Sequence, residues 1–232
     1  MFRPQQSDEI APAKFPLFSS HSRTYGRLDE VAGNKSPKRT GRPRGFDYDE
    51  ALDRAMHVFW RNGFEGASLG DLTAAMEIQP ASLYRAFGNK RTLFEKALAR
   101  YLAGPVAFVH HALSEPTAYA VADRILRRTA DFLTESRSRR GCMTIQAALV
   151  GGLEGESIRR KLIALRVKEQ DALRQRFERA KLEGDLPSDA DAADLARFVT
   201  TIYQGMTVQA INGASREDLL RLADTALRIW PK

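Results

Sequence analysis

From Phe46 onward apolar residues recur at three- and four-residue steps, the period of a helix, and strand-like alternation is scarce. Leu52, Ala55 and Phe59, with Met56 and Trp60 beside them, predict a helix over residues 47–62. Gly63 followed by Phe64 is expected to end it as a left-handed C-cap with its hydrophobic contact. Ser68 with Asp71 three residues on opens a second, short helix with a stripe of Leu69, Leu72 and Met76. After the turn Glu77-Ile78-Gln79, Pro80 stands where a first helical residue needs no N–H. The third helix, Pro80 to Phe87, is expected to bury Leu83 and Phe87 and to turn Ala81, Ser82 and Arg85 outward. Gly88-Asn89 breaks the chain, and Lys90 begins a fourth helix carrying Leu93, Phe94, Ala97, Leu98 and Tyr101 as far as Gly104-Pro105.

Residues 105–232 read as five or so further helices. Val121 to Leu133 form one, and Cys142 to Val150 form a short apolar one ended by Gly151-Gly152. A long helix runs from about Ser157 to Glu183, and Asp189 to Asn212 and Ser215 to Ile229 complete the set. The chain is therefore expected to be all-α. Its organisation is an arm (1–45), a three-helix unit with its following helix (46–104) and a helical bundle (105–232).

The 232 residues carry a formal charge of +7, unevenly placed. Met1 to Phe46 holds nine basic and four acidic residues, a balance of +5, which leaves +2 for the rest. Lys35 to Arg44 contains five cations and no anion, with two prolines and a glycine, the composition of an extended arm suited to a polyanion. Residues 1 to 34 lack a sustained period and are expected to be disordered. The longest charge-free run, Phe198 to Ser215, includes Thr200, Thr201, Gln204, Thr207, Gln209 and Asn212, so it reads as a protein-buried helix, with no membrane span expected. No apolar leader precedes the arm, and a cytoplasmic, nucleoid-associated protein is the expectation. A lone cysteine, Cys142, excludes an internal disulfide.

Two short helices joined by a three-residue turn and braced by a preceding helix match the helix-turn-helix, whose second helix enters the major groove. Any three-helix bundle can hold such a pair, and the basic arm tips the reading toward DNA. The string Leu83-Tyr84-Arg85-Ala86-Phe87-Gly88-Asn89-Lys90-Arg91-Thr92-Leu93-Phe94 is more specific. With Phe59, Gly63-Phe64, Ser68, Leu72 and Ile78 upstream, residues 46 to about 95 resemble the DNA-binding domain of the tetracycline-repressor (TetR) family. Gly41-Arg42-Pro43-Arg44 resembles the lead-in of many members.

The resemblance implies a homodimeric, usually repressing transcription factor that binds double-stranded DNA at a palindromic operator and is released by a small-molecule effector. Carried over by position, Gln79, Pro80, Ala81 and Ser82 approach base edges, Arg85 reaches a guanine or a phosphate, and Tyr84 contacts backbone or base. Ser68 and Lys90 match phosphate-clamping positions at helix starts, and Arg42 and Arg44 enter the minor groove or lie along phosphates. Glu77 departs from the family, which commonly has glycine where the second helix ends. A left-handed Glu77 would cost on the order of 1 kcal/mol.

For the regulatory half, Phe108, Phe132, Met143, Gln146 and Tyr203 are candidate pocket residues, although each taken singly reads more readily as plain core. In the family two C-terminal helices pair with those of the partner. Here Phe198, Ile202, Met206 and Ile211 are assigned inward, and Tyr203, Thr207 and Ala210 are assigned to the partner, with Leu219, Leu222, Ala226 and Ile229 from the last helix. Cys142 reads as inert packing, and adjacent His110 and His111 diverge on a helix, poor geometry for one metal. No cofactor is expected. An enzyme is the rival class, but no phosphate loop, nucleophile elbow or zinc-protease motif is present. A non-specific DNA-packaging protein is a second rival, favoured by the pI of about 9.7 and disfavoured by the nearly neutral body.

Overall fold

In the computed structural model, residues 46–135, 141–145 and 155–231 are described, and among them every regular element is helical. Arg42, Arg44 and Gln146 lie outside the described residues, as do the rest of the arm and most of the helix expected over Cys142 to Val150. Within that stretch residues 143–145 are helical.

Helix α1 (Tyr48–Gly66) starts on Asp47, whose carboxylate accepts the Glu50 N–H at 2.9 Å. Gly63 does take a positive φ (69°), but the expected stop is only a kink. The chain resumes helical geometry for Phe64 to Gly66 before leaving at Ala67. Helix α2 (Leu69–Met76) has the full capping box: Ser68 Oγ accepts the Asp71 N–H at 3.0 Å, and Asp71 accepts the Ser68 N–H at 3.1 Å. Leu72 and Met76 are buried, whereas Leu69, expected in the same stripe, is 38% exposed at the first turn. Helices α3 (Pro80–Phe87) and α4 (Lys90–Ala103) follow, α4 capped by Asn89 on the Thr92 N–H.

Helix α5 (Ala107–Ala112) was not legible in the sequence, being six residues long with no side-chain cap. Helix α6 (Ala118–Thr134) starts on Thr117, and α7 (Glu156–Leu182) is the long charged helix, ended by Gly184 at φ 77°. Helices α8 (Ala192–Ile211) and α9 (Arg216–Arg228) start on Asp191 and on a second capping box, Ser215 with Asp218.

Two hydrophobic clusters organise the described residues. The first joins α1 to α4 through Phe59, Trp60, Phe64, Leu72, Leu83, Phe87, Phe94 and Tyr101. Burying one such ring contributes roughly 1.5–3 kcal/mol relative to leaving it exposed. The cluster is not closed at residue 104, because Met143 and, from the start of α7, Ile158 and Leu162 pack into it. The second cluster lies among α6, the later half of α7, α8 and α9, and is rich in small residues: Ala122, Ala130, Ala180, Ala196, Ala210 and Ala223. Arg176, buried on α7, holds the α5–α6 turn in place by donating to the carbonyls of Glu115 (2.9 Å) and Pro116 (3.0 Å).

Candidate nucleic-acid interface

The pair α2–α3 is set by its turn. Glu77 lies in the left-handed region (φ 55°, ψ 39°), its N–H bonding to Ala74 O and that of Ile78 to Thr73 O, the double bond of a Schellman end. Glu77 is the only described residue other than glycine with positive φ. Arg54 on α1 pairs with its carboxylate at 2.7 Å and with Glu50 at 2.7 Å, and those two bonds raise the guanidinium pKa. The acid at the turn is thus paired from α1, with its side chain still 74% exposed.

Leu83 and Phe87 anchor α3 in the core, and Phe87 stacks on Tyr48 with ring centroids 4.6 Å apart. Phe46, two residues beyond the basic lead-in, lies 6.4 Å from the same ring. The opposite side of α3 is free: Gln79, Pro80, Ala81, Tyr84 and Arg85 are exposed and Ser82 is half-buried. Tyr84 is 49% exposed and lines a shallow concavity with Leu69, Gly70, Thr73 and Pro80 between the two helices. The start of α3 makes no side-chain cap, in contrast to α2, so its first turn offers polar backbone to an incoming group.

The two clamp residues are engaged inside the fold. Ser68 Oγ donates to Asp71 Oδ2 at 2.6 Å, and these bonds hold the Asp71 carboxyl below its ordinary value. The Lys90 ammonium lies 4.7 Å above the Phe64 ring and 3.5 Å from Glu65 O. Exposed Arg91, beside the break at Gly88-Asn89, is the cation that the motif reading passed over.

A second site lies among α5, α6, α7 and α8: a narrow cavity with about 30 Å³ of interior space, open to solvent on one side. Phe108, Phe132 and Tyr203 line it, with Val106, Val109, Thr129, Cys142, Thr144 and Glu169. Met143 does not. It is fully buried in the first cluster, where its N–H lies 3.3 Å from Tyr101 Oη, because the 141–145 segment packs against α1 and α4. Glu169 and Cys142 were missed as lining residues; a carboxylate on a helix dense in charge gives no signal of its own. Tyr203 Oη donates to Glu169 Oε2 at 3.4 Å. Burial raises the Glu169 carboxyl, against the Tyr203 bond and Arg166, and burial then Glu169 push the Tyr203 hydroxyl up. The cavity wall reaches the first cluster directly: Phe132 stacks on Trp60 of α1 at 5.4 Å, and Trp60 Nε1 donates to Gly141 O at 2.9 Å.

The partner face assigned on α8 is corrected. Tyr203, Thr207 and Ala210 are buried in the chain's own second cluster, as are Leu219 and Ala226 on α9. Of the residues assigned inward, Met206 is buried but Ile211 is 45% exposed. The exposed positions of α8 instead include Thr201, Gly205, Val208 and Ile211, flanked by half-buried Phe198 and Ile202, which pack against the second cluster, with half-buried Leu222 on α9 and Ile229, 71% exposed, just past its end. Among the described residues no helix is long and apolar enough to cross a membrane, and no group of three His, Cys, Asp or Glu is arranged for a metal.

Comparison with known proteins agrees with this geometry. The family profile described as "Bacterial regulatory proteins, tetR family" matches residues 51–97. The chain is 33% identical over 198 residues to the HTH-type transcriptional repressor ComR of Escherichia coli K12, covering 84% of this chain and 94% of that protein. Among solved structures it is similar to the regulator CifR, a cysteine mutant complexed with a 26-base-pair double-strand operator, at 45% identity and a TM-score of 0.79, covering 82% of this chain and 100% of that one. A TetR-type regulator from Rhodococcus sp. RHA1 is 39% identical, with a TM-score of 0.53, over 80% of this chain and 100% of that one.

Proposed function

The chain belongs to the TetR family of bacterial regulatory proteins, DNA-binding transcriptional regulators rather than enzymes, and from that premise we propose a homodimeric repressor. It binds an inverted-repeat operator through α2–α3 and is released when a small molecule enters the cavity behind α5. The observation that carries the reading is the exposed face of α3, small at Pro80, Ala81 and Ser82 and armed with Tyr84 and Arg85, on a helix whose other face is locked by Leu83 and Phe87. Small side chains let the helix approach base edges, and Arg85 supplies the bidentate donor suited to guanine. Gln79, Ser68, Lys90 and Arg91 lie at the starts of helices, where backbone N–H groups and cations meet phosphates. Arg42 and Arg44 extend the contact into the minor groove. The operator complex of CifR and the repressor description of ComR support the same assignment.

Dimerisation is proposed through these exposed positions of α8 with Leu222 of α9 and Ile229 just past its end. Nothing lies within 4 Å of where a Cβ on Gly205 would sit, so that glycine is not required by the chain's own packing and leaves room for a partner helix. Coupling of effector to DNA is proposed through the cavity wall. A ligand that displaces Phe132 disturbs Trp60 on α1, and one that displaces Val106 pulls at the end of α4.

The test is to incubate the full-length protein with sheared genomic DNA of its source at physiological salt and sequence what is retained. A few fragments sharing an inverted repeat are expected; uniform retention supports DNA packaging instead and overturns the reading. Sedimentation at micromolar concentration checks the second element: a dimer is expected for the wild type and a monomer for Gly205→Arg. A monomeric wild type removes the palindrome-reading dimer.

A further inference from the structure

The described wall of the inner cavity carries one charged side chain, Glu169, set among apolar and aromatic groups. Its one hydrogen bond among the described residues is the 3.4 Å contact from Tyr203 Oη. Arg166, the cation that acts on it, does so from a distance, its Nη1 lying 3.4 Å from the Thr144 carbonyl. Lys168, His110 and His111 line an outer groove between α5 and α7, which shares Val106, Val109 and Glu169 with the cavity. Glu169 therefore stands where the groove meets the interior, with Lys168, the next residue, on the groove side.

The Glu169 carboxylate is half-buried and accepts only that one long hydrogen bond among the described residues, and the ligand that gains most from it brings an opposite charge. An anion is repelled, and a neutral molecule leaves the carboxylate as it was. The aromatic groups add to the preference: the Phe108 and Phe132 rings lie 5.9 Å apart at 50°, with Tyr203 across the cavity, and ring faces attract a cation. We propose that the cavity takes a small organic ammonium ion, its charged head against Glu169 and its apolar body among Phe108, Phe132 and Leu133. The interior space of about 30 Å³ is about what one water takes up, so that body enters as the lining side chains give way. This inference rests on the reading of the cavity as the effector site and adds the chemical class of the effector.

The experiment is calorimetric titration of the full-length protein at neutral pH with benzylammonium, phenethylammonium and hexylammonium, and with the matching alcohols as uncharged counterparts. At least one ammonium ion is expected to bind about tenfold or more tightly than its alcohol. Glu169→Gln, which keeps the shape and removes the charge, is expected to abolish that difference, with circular dichroism verifying its fold. Phe108→Leu is expected to weaken both series, the ammonium ions about threefold more than the alcohols. Alcohols that bind as well as their ammonium partners, or a preference that survives in Glu169→Gln, overturn the ammonium assignment while the cavity stands as the binding site. Binding of neither series, or binding undiminished in Val109→Trp, which fills the passage, overturns both the assignment and the cavity as effector site.

Discussion

The helices that present the DNA-reading face and the helices that form the body are built to different rules. The first cluster is aromatic: Phe59, Phe64 and Phe94 meet edge-on or stacked within 6.4 Å, and Trp60 meets Tyr101 edge-on at 4.9 Å. Large rings with few rotamers interlock, and such a core holds one geometry. The second cluster brings helices together over alanines, with Phe177 and Trp230 at one end and a cavity beside it. Alanine faces give close helix approach with little interlocking, so small displacements of α5 or α6 meet less resistance. An interlocked head on a body with a cavity is the arrangement that the proposed effector release calls for. The two are not separable along the chain, since Ile158 and Leu162 of α7 and Met143 complete the head's core.

The comparison breaks or sharpens first on core truncation. Leu83→Ala in the head and Leu126→Ala in the body, both fully buried, are each expected to cost about 2–5 kcal/mol in urea unfolding, the head variant more because its interlocked core relaxes less around the cavity left behind. Equal costs would remove the contrast. Next, Arg85→Ala is expected to lower operator affinity by about 1–3 kcal/mol, roughly 5- to 150-fold, with little effect on random DNA in a salt-matched mobility shift. An equal loss on both would make Arg85 a phosphate contact only.

Glu77→Gly is smaller and of opposite sign. Relief of the left-handed strain is worth on the order of 1 kcal/mol, and the exposed pair with Arg54 gives back only part of it. Melting temperature and operator affinity should hold or rise, and a marked loss of affinity would place Glu77 in the DNA contact itself. The smallest effect is on acid stability. Arg159 and Arg160 hold the Glu156 carboxyl at about 2, below its ordinary 4.5. A depressed folded-state value contributes stability that is complete above about 4.5 and lost as pH falls toward about 2. Urea midpoints of Glu156→Gln should therefore fall less steeply than those of the wild type between pH 5 and 3.

Much of the head was legible because its signals are local. Ser68 with Asp71, Pro80, Asn89 and the Leu83–Phe87 spacing each act within one turn of helix, and each helix start they imply is where the structure has it. Even the strained Glu77 was readable as a position asking for glycine. The kink at Gly63 was not, since a glycine with positive φ ends a helix or bends it depending on what Phe64 packs against, here Phe59 and Phe94. In the body the starts of α8 and α9 were close, and Met206 is buried as assigned, but Tyr203, Thr207 and Ala210 of α8 are buried as well. A helix with no charge between Phe198 and Ser215 carries no mark of its wet side, so Tyr203, Thr207 and Ala210 were indistinguishable from partner contacts.

The sequence by itself determined the all-helical architecture, the place of the two-helix reading unit and the identity of its outward face, because capping, periodicity and turn conformation are decided by residues within a few positions of one another. Tertiary structure alone decided that Glu169 of α7 meets Tyr203 of α8 in an apolar cavity, that Phe132 leans on Trp60, and that the free stripe of α8 runs through Gly205. Those contacts join residues tens of positions apart, and their partners follow from how whole helices pack, which no local pattern records.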